Sequence, residues 1–305
     1  MRPLRYLAMV LLAVGATECA HTPGAPTPGT PTTRAPATGA PATDAPAYER
    51  PAPGSGDAEP VGSPWQEGAA ALTTALDELT AGAHEIAVTV INNKSPESYV
   101  YGADGTFETA SIVKVEILAA LLLRAQDSGR PLTAHQLSLA EAMIRDSDDN
   151  AASAFWWQIG GPRGLAAASE RLGLTATVGG ADGWWGWTTT TVADQARMIT
   201  ALIETGGELN AESQGLILDL MGSVRPDQAW GVSAATADGE TVQIKNGWMS
   251  NSALQSNTTI NSIGRITGEC VDVTIAVLSG GTADEPSGIA LVERAAALAR
   301  RHLGW

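Results

Sequence analysis

The stretch Thr109-Ala110-Ser111-Ile112-Val113-Lys114 opens an apolar run that continues through Leu123. Its composition predicts a helix beginning near Ser111. Ser111 and Lys114 are three apart, so both fall on one helical face about one turn from each other. At a helix N-terminus a lysine amine can reach a serine oxygen and accept its proton. The serine needs such a base because its own hydroxyl does not ionise near neutrality. Its backbone N–H also points where negative charge would develop on a substrate oxygen. Taken alone the spacing is weak. It gains weight because the chain has only three lysines, Lys94, Lys114 and Lys245, while arginine, the commoner cation here, does not act as a base. A lysine snorkelling from a buried helix is the bland alternative.

Two further segments follow in order. Ser147-Asp148-Asp149-Asn150 comes after Met143-Ile144, and Lys245-Asn246-Gly247-Trp248 ends a strand-like run. By itself Ser147-Asp148 also reads as a helix cap, and Asn246-Gly247 as a plain turn. Together, Ser-x-x-Lys, Ser-Asp-x and Lys-x-Gly resemble the serine β-lactamases and penicillin-binding proteins. Ile159-Gly160-Gly161-Pro162 and the threonine run Thr189-Thr190-Thr191 bring the chain nearest to the class A members. The resemblance spans about residues 65–305.

That resemblance implies an α+β fold. One antiparallel sheet is built from both chain ends, and a helical region is inserted between them. It implies that Ser111 is acylated, that Lys114 is its base or proton relay, and that Ser147 passes a proton to the leaving nitrogen. Lys245 would place positive charge near Ser147 and a substrate carboxylate. The backbone N–H groups of Ser111 and Trp248 would form the oxyanion hole. Asp149, Asn150, Asn246 and Gly247 complete the expected substrate-binding set. The substrates implied are β-lactams or peptidoglycan-type peptides, with no cofactor and no metal.

The chain departs from the family pattern in three places. Asp149 stands where the family has asparagine, and Asn150 follows one position later. An ionised Asp accepts hydrogen bonds but donates none. Asn246 replaces a hydroxyl residue. Class A enzymes hydrolyse the acyl-enzyme with a loop glutamate, but residues 175–187 contain no Glu, and Asp182 is their only carboxylate. Acylation is therefore expected to outpace deacylation. A non-catalytic wall-binding module of the same fold is the rival reading, and Trp184, Trp185 and Trp187 are compatible with it.

The periodicities elsewhere agree with this plan. Residues 66–82 read as a helix, His84–Val90 and Ser98–Tyr101 as strands, and 111–222 as mostly helical with breaks at Gly129, Gly160-Gly161 and Gly206-Gly207. Thr241–Ile244, Ser256–Ile266 and Val271–Leu278 read as strands, and Gly288–Leu303 as a closing helix. Cys270 falls at the start of a strand-like run and reads as a buried inert thiol.

Residues 1–20 read as a signal peptide, with Arg2 and Arg5 before an apolar run too short to span a bilayer. Cys19 resembles the lipidated cysteine of bacterial lipoproteins, although Glu18 stands where that family has a small residue. A lipid anchor to the membrane and simple secretion both stay open. Residues 21–63 are a Pro/Thr/Ala/Gly-rich linker expected to be disordered, and 64–305 form the hydrolase domain. Residues 65–305 hold 14 basic and 28 acidic side chains, which disfavours nucleic acid as a partner. The four histidines come without a Gly-x-Ser-x-Gly elbow, which argues against a Ser-His-Asp triad.

Overall fold

A computed structural model describes residues 64–81, 85–181, 183–251 and 257–305. The readings of the signal peptide, Cys19 and the linker, and those resting on His84 and Asp182, lie outside the described residues. Within the unit Pro60–Trp305, five antiparallel strands form the central sheet: β1 (Glu85–Asn92), β2 (Ser98–Tyr101), β5 (Thr241–Asn251), β6 (Asn257–Thr267) and β7 (Asp272–Thr282). Their order is β2-β1-β7-β6-β5. The two chain ends thus meet at the β1–β7 pairing, where Val88 lies opposite Val277. Two short strands, β3 (Phe107–Glu108) and β4 (Thr189–Thr190), pair separately.

Strand side chains alternate between faces, so one strand can serve two cores. On β7, Val273, Ile275 and Val277 enter one core, whereas Ala276 and Leu278 enter the other. The first core is closed by α1 (Pro64–Thr80), through Leu72 and Leu76, and by α8 (Glu285–Leu303), through Val292, Ala295 and Ala299. The closing helix begins before the predicted Gly288, because Asp284 caps it by accepting from Ser287 N and Pro286 fits its first turn.

The second core is the helical region: α2 (Val113–Ser128), α3 (Ala134–Arg145), α4 (Asp149–Ile159), α5 (Gly161–Leu172), α6 (Val192–Ala201) and α7 (Ala211–Met221). Every residue of α2 from Val113 to Leu123 is buried. A helix covered on all sides is a central one, so Lys114 is carried into the interior by its own helix. α2 ends at Gly129 in the left-handed conformation, φ 61°, at the predicted break.

Two readings are corrected. β5 runs on to Asn251, so Lys245-Asn246-Gly247-Trp248 lies inside a strand rather than at its end. Pairing with β6 continues to Asn251 opposite Asn257, and this holds a glycine- and asparagine-rich segment extended. Cys270 is exposed in the β6–β7 turn rather than buried on a strand.

Glu116 is the other ionisable group carried inward by α2. Its Oε1 lies 2.5 Å from Ser169 Oγ of α5, and Oε2 has no partner. Burial pushes its carboxyl up to about 7, against the opposing pull of the Ser169 bond and with help from the Asp194 charge. A neutral acid fits this setting, because it can donate to Ser169 Oγ while Ser169 donates to Leu165 O, 2.9 Å away. The folded state therefore holds this proton more tightly than the unfolded chain. The resulting stability is fully present below about pH 4.5 and is lost as pH rises through about 7. Denaturant titrations across that window should show a decline of about 3 kcal/mol that Glu116→Gln flattens.

Candidate active site

Ser111 lies in a tight 3-10 turn, Ala110–Ile112, just before α2. The turn is bent hard: Ala110 has φ 47°, a region that a residue with a Cβ enters at a cost. Three contacts hold it. Thr109 N donates to Thr188 O at 2.7 Å. Asn261 of β6 donates to Glu108 O at 2.8 Å and to Thr109 O at 3.1 Å. Gly247 of β5 packs directly on the turn, where a Cβ would sit 2.6 Å from Ser111 N and 2.8 Å from Thr109 O. Only a residue without a side chain lets β5 approach the serine backbone this closely.

Ser147, between α3 and α4, is the other non-glycine residue with positive φ among the described residues, at 56°. The loop is fixed by Asp148, which caps α4 by accepting from Ala151 N at 2.7 Å. The helix-cap reading of this segment thus holds for Asp148, and it aims Ser147 inward. Lys114 Nζ donates to Ser147 O at 2.7 Å, to Ser147 Oγ at 3.1 Å and to Asp149 Oδ1 at 2.7 Å. Lys245 Nζ donates to Ser147 Oγ at 3.0 Å and to Asn246 O at 2.8 Å. Two lysine nitrogens therefore converge on one hydroxyl.

Both lysines are buried, at 0% and 1% exposure, whereas the Asp149 side chain is 75% exposed. Burial pushes the Lys114 ammonium below the usual lysine range, and the Asp149 hydrogen bond and charge partly restore it. Lys245 is pushed well below that range, first by burial and then by the neighbouring Lys114 charge. The three acceptors around Lys114 account for all three N–H bonds of an ammonium. In this arrangement Lys114 is a proton donor, and it can accept a proton only after losing one.

Ser111 opens into a cavity of about 350 Å³ whose lining includes Asp149, Trp184, Trp185, Trp187 and Trp248. Trp185 covers Lys114, with Nζ 4.7 Å from the ring centroid, and is held by a 3.1 Å bond from its Nε1 to Ser153 Oγ. The loop carrying Trp184, Trp185 and Trp187 is anchored by Asp194 of α6, which accepts from Thr175 N, Ala176 N and Thr177 Oγ1.

The structure thus gathers Ser111, Lys114, Ser147, Asp149, Lys245, Gly247 and Trp248 into one region. It sets two expected substrate contacts apart. Asn150 is exposed in the first turn of α4 and is not among the residues lining the cavity. Asn246 is buried with its amide turned inward, donating to Gln228 O and Trp230 O at 2.8 Å and accepting from Ser262 Oγ at 2.6 Å. Strand alternation gives the reason, because Lys245 and Gly247 share the face toward Ser111 and Asn246 takes the other. Asn261, Ser153 and Asp194 were not anticipated. Only Asp194 left a signal, three residues after Thr191 as in a helix cap. Among the described residues, no group of His, Cys, Asp and Glu could hold a metal.

A sequence model of the beta-lactamase enzyme family matches residues 128–303, and the chain belongs to that family. The matched span takes in Ser147 and Lys245 and starts after Lys114. Among curated proteins the chain is 28% identical over 184 residues to "Putative lipoprotein LppW" of Mycobacterium tuberculosis (strain ATCC 25618 / H37Rv), with the same match in Mycobacterium bovis. The match covers 57% of this chain and 57% of the length of those relatives. Among solved structures, the fold is similar to TLA-1 extended-spectrum β-lactamase, with a TM-score of 0.69 at 14% identity, covering 77% of this chain and 99% of that one. It is also similar to a class A β-lactamase of Mycobacterium abscessus, with a TM-score of 0.65 at 21% identity, covering 77% and 100%. PBP-A gives a TM-score of 0.65 at 20% identity, covering 76% and 95%.

Asp149 sets the charge on Lys114, so Asp149→Asn should lower the pH at which Lys114 becomes a free amine. An opposite charge in contact shifts a pKa by roughly 1–3 units. The rising limb of acylation rate against pH should therefore move to lower pH by about one unit or more. An unmoved limb would mean that Asp149 has only a packing role.

Proposed function

We propose that the protein is an active-site serine hydrolase that works by acyl transfer on β-lactam or peptidoglycan-type amides, with Ser111 as nucleophile. The observation that carries this reading is the convergence of Lys114 Nζ and Lys245 Nζ on Ser147 Oγ beside the Ser111 cavity. Once Lys114 is an amine, it accepts the Ser111 hydroxyl proton as Oγ attacks the carbonyl carbon. The developing oxyanion is received by the backbone N–H groups of Ser111 and Trp248. The C–N bond then breaks, and Ser147 Oγ gives its proton to the leaving nitrogen. Lys114, now an ammonium, returns a proton to Ser147 and is an amine again. The net transfer is one proton from Ser111 to the leaving amine, and an ester remains on Ser111.

Deacylation needs an activated water. The described part of the 175–187 loop offers indoles to the cavity rather than carboxylates. The carboxylate that lines it, Asp149, is engaged with Lys114. Slow turnover of the ester follows. A variant of PBP-A, which shares the fold, has been captured as an acyl-enzyme complex with penicillin G. The likeness to a protein named as a lipoprotein, with the N-terminal signal, supports export and anchoring through Cys19. Cys19→Ala should then release the protein from the membrane fraction.

Mixing with a chromogenic β-lactam should give a burst near one equivalent and then a slow phase, because general-base assistance is worth about 10²–10⁴-fold in rate. Intact-mass measurement should find the adduct on the native chain and none on Ser111→Ala. An adduct that survives that substitution removes the assignment. Neither burst nor turnover would favour the wall-binding module.

A further inference from the structure

The charges around Ser111 are arranged unusually for a site that grips an anion. Lys114 and Lys245, the cations beside the serine, are sealed from solvent; Lys114 donates to Ser147 O, Ser147 Oγ and Asp149, and Lys245 gives two of its three N–H bonds to Ser147 Oγ and Asn246 O. Neither wall of the cleft supplies another. Residues 246–264, which follow Lys245 through the β5–β6 edge, contain no charged side chain, and residues 175–191 contain only the acidic Asp182. Among the residues that line the cavity the one charged group is Asp149, an anion with most of its side chain in solvent.

Four tryptophans share the remaining lining with Met249, two serines and small residues. Trp184, Trp187 and Trp248 are 67%, 39% and 49% exposed, so their rings are left for something other than the core. Indole faces attract cations more strongly than the other aromatic rings do. One indole of this cleft already does so, since Trp185 carries the Lys114 ammonium on its face. The domain adds an excess of acidic over basic side chains, which raises the local concentration of cations and repels anions.

We propose that this cleft selects acyl substrates bearing an alkylammonium group, held between the Asp149 carboxylate and the indoles of Trp184, Trp187 and Trp248. The inference rests on the acyl-transfer reading for its substrate, though its binding component can be measured without it. A carboxylate on the acyl group meets no exposed cation along this lining and faces Asp149. A neutral substrate gains the apolar contact alone. The predicted preference is cation over neutral over anion.

Three p-nitrophenyl esters of similar size test it: the 4-(trimethylammonio)butanoate, its neutral isostere the 5,5-dimethylhexanoate, and the anionic glutarate monoester. Acylation of Ser111 is followed by p-nitrophenol release, with the adduct verified by mass against Ser111→Ala. The cationic ester should react about tenfold faster than the neutral one, and the anionic ester slowest. Trp184→Ala and Trp248→Ala should reduce the cation-to-neutral ratio, a readout that a packing defect alone would not shift. An anionic ester as fast as the cationic one, or a ratio near one, overturns the proposal. If no ester acylates Ser111, the acyl-transfer reading fails, and tryptophan fluorescence of the Ser111→Ala protein then decides the binding question. Saturable quenching by choline, several-fold tighter than by 3,3-dimethylbutan-1-ol, sustains the cation site, and equal or absent quenching rejects it.

Discussion

Two lysine nitrogens sharing one serine hydroxyl, with almost no access to water, form the constraint around which the rest of this structure is arranged. Burying one ammonium is unfavourable, and burying two side by side is more so, because each depresses the other's affinity for its proton. Such a pair persists only where the fold supplies acceptors in the right places. Here α2 delivers Lys114, β5 delivers Lys245 and the α3–α4 loop delivers Ser147 in a strained conformation. Asp149, the first residue of α4, provides the compensating charge. The cost in stability leaves two amines that hold their protons less tightly than exposed lysines do.

The same constraint accounts for the shape of the serine turn. Ser111 must sit close enough to Lys114 to share a helical face and close enough to β5 to use its backbone. The strand can come this near only because Gly247 has no side chain. Asn261, from the adjacent strand β6, ties down the carbonyls before the turn. The left-handed Ala110 is then over-determined from both sides, and this is the circumstance in which backbone strain survives in a native state.

The sequence showed which residues would gather at the candidate site better than it showed the support beneath them. Ser111 and Lys114 were legible because helical spacing is local, and because a chain with three lysines makes each placement informative. The sheet from both chain ends was legible because period-2 runs flank a helical middle. Asn246 was misjudged because strand alternation places it opposite its neighbours Lys245 and Gly247, and β5 could not be seen to continue past them until its pairing with β6 was known. Asn261 and Ser153 act across sequence separations of 152 and 32 residues, and no local pattern encodes contacts of that kind. The strand-like run after Cys270 begins only at Asp272, because the exposed turn that precedes it is set by β6–β7 register.

Charge placement in this domain also separates two jobs that a single lysine often performs. A cation that anchors an anionic substrate must meet solvent, where it stays protonated. A cation that relays protons must be desolvated, so that its neutral form is accessible. Lys114 and Lys245 are both desolvated, which suits them to the second job in the acyl-transfer reading proposed above. The first is then left to whatever lines the open cleft, where one carboxylate and four indoles stand among small and uncharged residues. Polarity at the mouth is therefore opposite to polarity at the base. On the proposed reading, a substrate entering here is oriented by its attraction to Asp149 and the rings, with the reacting carbonyl toward the serine and the amines behind them. Moving a cation to the mouth would restore an anion anchor, but it would also compete with Lys114 for Asp149 and lower the affinity of Lys114 for its proton. Substrate charge and base strength are thus coupled through a single side chain, Asp149.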